Sequence, residues 1–236
     1  MPAPSSLGLT LLWDMETLTA DEKMKDLSGN GFHGTVVGTV SQQGKVSLCR
    51  TFPSGDNIAV TTSPLAGTSN FTMAAWYKPT SETRPTNLTF GADTPTSHAI
   101  SYGDLGYLNG ETKKFQFVGT IGGGAKVAMK YTTYATGAFH HVAMTYDGVT
   151  LIGYIDGSLA TSLATTGTYT FRGASVGSSA GVPMMWIDEF RLYNRALSAS
   201  EITDIYLSVD HNDLHDPMAD MLRDWKRKWR TVLPRD

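Results

Sequence analysis

The stretch TGAFHHVAMTYDG, residues 136–148, sets His140 beside His141, with Tyr146 and Asp147 a few positions on. Two imidazoles and a carboxylate are raw material for a zinc site or for general acid–base work. The alternation of apolar residues around them marks a strand, and neighbouring side chains on a strand point to opposite faces. His140 then shares a face with Val142, Met144 and Tyr146, and His141 shares the other with Ala143, Thr145 and Asp147. The two rings cannot converge on one ion, and no His-Glu-x-x-His helix pattern exists in the chain. The pair reads as architecture at a strand entrance.

Glycoside hydrolysis needs two carboxylates across the scissile bond, about 5–5.5 Å apart for retention and about 6.5–9.5 Å for inversion. A single strand can aim such a pair into a cleft as Glu-x-Asp, and that tripeptide does not occur here. Between residues 86 and 155 the strand-like runs carry only Asp93, Asp104 and Asp147, all near their ends, and Glu111 falls in a turn. Asp188 and Glu189 are adjacent, so on a strand they face opposite ways. The lone Cys49, in VSLCRTF, has the setting of a buried strand residue and not of a nucleophile. These features argue against an enzyme. Sugar binding asks instead for an aromatic platform with planar polar groups at a loop rim. Tyr102 and Tyr107, flanking GDLG, together with Asn109 and Arg84, are the candidates.

The elements that must position these residues are mostly short β-type runs separated by Gly, Asn, Asp, Ser and Pro clusters, the pattern of a sandwich or barrel. NFTMAAWYKP (70–79) is apolar on both alternating faces, as suits an inner strand covered on two sides. TNLTFGAD, HAISYGD, KFQFVGT and AKVAMKY follow as further strands. Asp147-Gly148 and Asp156-Gly157 are hairpin turns. After Tyr193 the pattern changes. Ser198-x-x-Glu201 is a capping box, with Ile202, Ile205 and Tyr206 at helical spacing behind it. Asp216-Pro217 opens a second helix, on which Met218, Met221, Leu222, Trp225 and Trp229 form one apolar stripe beside the basic residues Arg223, Lys226, Arg227, Lys228 and Arg230. The reading is therefore a sandwich at 1–209 and an amphipathic helical tail at 210–236.

At 236 residues and 41% hydrophobic, the chain is long enough for a large single core without disulfides. One cysteine excludes an internal bridge, and a net charge of −3 gives no field for nucleic acid. MPAPSSLGLTLLWDM lacks the basic start of a signal peptide, and no run approaches a membrane span; Asp220, Asp224 and the short length of the tail argue against its lying on a membrane.

Four blocks, DLSGNGFHGTVVG (26–38), FTMAAWYKP (71–79), FHHVAMTYDGVTLIGYIDGSLA (139–160) and WIDEFRLYNRALSASEI (186–202), together resemble the laminin G-like domains of the concanavalin A-like jelly-roll superfamily. The resemblance implies an all-β fold, an antiparallel two-sheet jelly-roll sandwich, here with a short C-terminal helical tail. It implies binding of carbohydrate or protein in place of catalysis. It also implies a structural calcium ion, with Asp188 supplying a carboxylate and Asp26 and Asn30 adding oxygens; the alternative is that Asp26 and Asn30 cap a tight turn while Asp188 makes a salt bridge. Two functions are expected. One is a lectin-like adhesion module for cell-surface glycans. The other is an accessory or decoration subunit of a virus or phage particle, or of another externally exposed assembly, whose tail docks on neighbouring copies or a larger structure.

Overall fold

A computed structural model describes residues 6–53, 55–66, 68–80, 86–90, 98–102, 113–122, 124–130, 132–168, 173–177 and 185–210. Fifteen strands and one helix follow in order: β1 Leu9–Trp13, β2 Thr35–Val37, β3 Val40–Gln43, β4 Leu48–Phe52, β5 Asn57–Val60, β6 Phe71–Pro79, β7 Thr86–Phe90, β8 His98–Tyr102, β9 Phe115–Ile121, β10 Gly124–Lys130, β11 His140–Tyr146, β12 Thr150–Ile155, β13 Ser158–Ala164, β14 Ala174–Gly177, β15 Met185–Tyr193 and α1 Ala199–Asp210. The main sheet runs β13-β12-β11-β6-β15-β4-β3, with β1 also pairing β15. Facing it are β10-β9-β8-β7 and β14-β5-β2, and β14 lies beside β7. All pairings are antiparallel. The all-β sandwich expected from the sequence is the observed fold.

Alternation divides the central strands between two cores. Met73, Ala75 and Tyr77 of β6, Val142, Met144 and Tyr146 of β11, and Ile187, Phe190 and Leu192 of β15 point inward. They meet Ile100, Phe115, Phe117 and Ile121 of the facing sheet, a contiguous apolar core that removes its side chains from water. The opposite face of the same strands, with Tyr154 of β12 beside them, carries Ala74, Ala143 and Tyr193, and these pack on Leu197, Ile202 and Ile205. Helix α1 is thus the lid on the outer face of the main sheet. On β6 only Lys78 escapes full burial.

The helix starts where the capping box places it. Glu201 N–H donates to Ser198 Oγ at 3.3 Å, and Ser198 N–H donates to the Glu201 carboxylate at 2.9 Å. Arg195 clamps the same carboxylate and also donates to the Leu7 carbonyl at 2.8 Å, which ties the helix entrance to the N-terminal segment. Thr72, buried on the outer face of β6, closes the link: its hydroxyl donates to Arg195 O at 2.8 Å and accepts from Leu197 N–H at 2.9 Å. The Asp156-Gly157 turn has positive φ at both residues, 50° and 74°, as a tight hairpin requires.

One inward position on β12 must stay small for the sheets to approach. A Cβ on Gly153 would lie 2.4 Å from Phe117 Cδ2 across the core. Gly153→Ala is expected to cost about 1–3 kcal/mol through overpacking. Phe117→Leu in the same chain should recover part of that loss. Chemical denaturation of the two single variants and the double variant measures the coupling; additive losses would show that the ring and the glycine do not compete for the same space.

Candidate functional site

The histidine pair divides as alternation requires. His140 lies among inward aromatic rings, edge-on to Phe115 at 5.9 Å and to Tyr134 at 5.1 Å. Its Nδ1 sits 2.9 Å from Asp156 Oδ2, whose other oxygen accepts His141 N–H at 3.0 Å. Asp156 N–H donates in turn to His141 O at 2.8 Å. The carboxylate therefore latches the β12–β13 turn onto the entrance of β11. His141 is buried on the outer face, 5.5 Å from the Trp76 ring and 6.1 Å from the Tyr206 ring of α1. Burial, with the Arg191 charge adding to it, pushes its pKa down to about 3, so the ring is neutral in the fold.

Register places His141 opposite Trp76, and Trp76 opposite Asp188, across β11, β6 and β15. Asp188 is fully buried, and its Oδ2 accepts Val46 N–H of the β3–β4 turn at 2.8 Å. Burial outweighs the backbone hydrogen bonds and pushes this carboxyl up to about 8. Glu189, in the bulge where β15 shifts register, has φ of 52° and pairs with Arg191 at 2.6 Å. Its pKa too is raised by burial, against the opposing pull of Arg191.

The three residues expected around one ion each make contacts of their own, and Asp188 Oδ1 has no hydrogen-bond partner among the described residues. Asp26 accepts Leu12 N–H and Ser28 N–H on Oδ1, at 3.1 and 2.9 Å, and Phe32 N–H on Oδ2 at 3.0 Å. Asn30 turns its amide nitrogen to the Leu9 and Thr10 carbonyls. Asp26 and Asn30 thus stitch the 26–34 turn to β1, while Asp188 serves the β3–β4 turn. Among the described residues no group of three or more His, Cys, Asp or Glu side chains is arranged to hold a metal ion.

Tyr102 is a correction to the expected sugar platform. It is fully buried on β8, stacked edge-on against Phe115 at 5.2 Å, and its hydroxyl donates to the Tyr134 carbonyl. Arg84, Tyr107 and Asn109 lie outside the described residues, as do Met218, Met221, Leu222, Trp225 and Trp229. Cys49 is buried on β4, and burial, reinforced by Asp188, pushes its thiol up to about 12, far from a reactive thiolate. The nucleophile-like pattern Gly-x-Ser-x-Gly also occurs, at 173–177. Ser175 there lies within β14, paired with Ala59, and not on a strand-to-helix elbow. Absent from the sequence-level candidates was a half-exposed group on the outer face, two residues along β6 from Trp76: Lys78 on β6, Trp186 directly opposite on β15, and Phe139 at the entrance of β11. The available signal was that Trp76 and Lys78, two apart on one strand, must share a face.

The sequence model of the concanavalin A-like lectin/glucanases superfamily, in its Laminin_G_3 branch, matches residues 52–203. No curated protein matches the sequence. Among solved structures, the chain is similar to the binding domain of Paraclostridial Mosquitocidal Protein 1, with 18% identity and a TM-score of 0.69, over 85% of this chain and 52% of that one. It is similar to domain 4 of AbnA, an extracellular arabinanase of Geobacillus stearothermophilus solved with arabinotriose: 24% identity, TM-score 0.65, 84% of this chain and 98% of that one. It is also similar to the binding domain of botulinum neurotoxin DC, solved with rat synaptotagmin II, at 14% identity and a TM-score of 0.65, over 86% of this chain and 52% of that one. The chain spans about half the length of these toxin binding domains. At such identities the likeness is one of fold.

The two buried titrating groups on the outer face give opposite pH dependences. Unfolding lets His141 take up a proton below its ordinary 6.5, so stability falls as pH drops from there toward 3. Unfolding lets Asp188 release a proton above its ordinary 3.8, so stability falls as pH rises from there toward 8. The slopes cancel where both act, leaving a plateau between about pH 4 and 6.5 with a decline of about 1.4 kcal/mol per pH unit on either side. Denaturant titrations across pH are expected to show this dome, and Asp188→Asn should flatten its alkaline limb. A parent whose stability keeps rising from pH 6.5 to 8 would contradict the assignment. A calcium-dependent rise in melting temperature that Asp188→Asn abolishes would show that Asp188 holds an ion instead.

Proposed function

The chain belongs to the concanavalin A-like lectin/glucanases superfamily, and on that premise we propose that it is a non-catalytic binding module whose ligand is a carbohydrate. The observation that carries the reading is how the carboxylates on and beside the strands are used. Asp26 is held by three backbone amides, Asp156 by the β11 entrance, Asp188 by the β3–β4 turn and Glu189 by Arg191. Among the described residues none of these presents an acid and a base to a shared opening, which hydrolysis of a glycosidic bond needs. The arabinanase domain, similar over nearly its whole length and solved with arabinotriose, supports a sugar ligand; the toxin domain solved with synaptotagmin II supports the broader class of receptor recognition.

A second reading concerns assembly. The stripe Met218, Met221, Leu222, Trp225 and Trp229, in a basic helix-like sequence, has the aromatic anchors that dominate binding energy at protein interfaces. It supports a role for 210–236 as the connector of an accessory subunit in a particle or other exposed assembly. Helix α1 belongs to the outer core and runs to Asp210, so the separable segment begins after it.

Titration of the protein with arabino-oligosaccharides, uronate oligomers and β-glucans is expected to give saturable binding to at least one class and no release of reducing sugar on long incubation. Turnover that disappears on replacing a single Asp or Glu would overturn the non-catalytic reading. A chain truncated after Asp210 is expected to melt as the full chain does and to lose self-association or particle association. A truncated chain that keeps its association would remove the connector role.

A further inference from the structure

Lys78 is the only position of β6 that is not buried, and its ammonium is held by one ring from β15 and one from the segment that enters β11. The nitrogen lies 3.6 Å from the centroid of Trp186 on β15 and 5.5 Å from that of Phe139 at the entrance of β11. The two rings stand 6.4 Å apart at 70° to one another, with the ammonium as the third member of the group. None of the ion pairs among the described residues neutralises this charge. The carboxylate on the neighbouring row, Asp188, is fully buried and turned to the β3–β4 turn. A second ammonium, Lys45, stands 5.1 Å over the ring of Trp76, the residue two before Lys78 on the same face. In a chain of net charge −3, two cations therefore rest on tryptophan rings on one face of one sheet.

A cation on an aromatic face keeps its charge, because the ring quadrupole orients the ammonium without cancelling it. Its long side chain is also ordered in advance, so an incoming anion meets a charge whose rotamer entropy is largely spent. Flanking ring edges offer apolar surface at the same spot. Apolar surface beside a fixed ammonium, with no exposed acceptor in the group, suits a ligand that is flat, partly apolar and anionic. Resting on the carbohydrate reading above, we infer that Phe139, Lys78 and Trp186 form a subsite for an acidic saccharide, whose carboxylate meets the Lys78 ammonium while its C–H face lies along the rings.

The full chain is titrated calorimetrically with oligogalacturonate, with neutral arabino-oligosaccharides and with oligoglutamate, each at low and high sodium chloride. Oligogalacturonate is expected to bind at least tenfold more tightly than the neutral sugars, and to weaken as salt rises. Lys78→Met keeps the aliphatic stem and should lose that preference at an unchanged melting temperature, Lys78→Arg should keep it, and Phe139→Ala should weaken oligogalacturonate binding. Equal affinity of Lys78→Met and the parent for oligogalacturonate would overturn the inference. Oligoglutamate binding as tightly, with the same dependence on Lys78, would overturn the saccharide and leave a general anion site. Binding of neutral sugars alone would refute the acidic subsite and leave the carbohydrate reading standing, whereas binding of no glycan would refute both.

Discussion

The central strands β6, β11 and β15 are buried on both faces, and the remainder of the structure follows from that double burial. A sandwich strand ordinarily buries one face and wets the other. Here the inner face meets the opposing sheet and the outer face meets α1, so each strand needs apolar or satisfied side chains at nearly every position. Thr72 is tolerated because its hydroxyl is both donor and acceptor to the 195–197 segment. His141 and Asp188 are tolerated by becoming neutral, which leaves a pH signature in the stability of the whole molecule.

Double burial also fixes where chemistry has room. Inward, the space between the sheets is filled by Tyr77, Tyr102, Phe115 and Phe117, and the end of it near His140 is closed by ring contacts to Tyr134. Outward, α1 covers the rows that contain Ala74 and Ala143 and reaches Trp76 and His141 through Tyr206. The row beyond, with Phe139, Lys78 and Trp186, is only half covered. Recognition at that place would use a rigid backbone, since its three residues stand on or beside central strands and not on long loops.

Much of this was legible in the sequence wherever a signal was local. The both-sided apolar character of 71–79 marked an inner strand, the Ser198–Glu201 box marked the helix start, and Asp156-Gly157 marked a turn. The separation of the two histidines follows from the period of a strand alone. What escaped was set by partners far along the chain. Tyr102 reads as an exposed platform until its hydroxyl is seen to donate to the Tyr134 carbonyl, 32 residues on. Asp26 is held by amides of its own turn and of β1, whereas Asp188 takes its donor from Val46, 142 residues away. The Phe139–Lys78–Trp186 group draws one residue from each of three segments, and no window of sequence contains it.

The account turns on the outer face as the place of recognition, and the indole N–H resonances of the protein report on it directly. Trp13 donates its indole N–H to the Phe32 carbonyl at 3.0 Å inside the inner core, whereas Trp186 lies beside Lys78 on the outer face. On titration of the full chain with oligogalacturonate, followed by NMR with tryptophan assignments, the Trp186 indole resonance is predicted to shift in a saturable way while that of Trp13 stays in place. Saturable binding that moves Trp13, or that leaves Trp186 unmoved, would contradict recognition on the outer face.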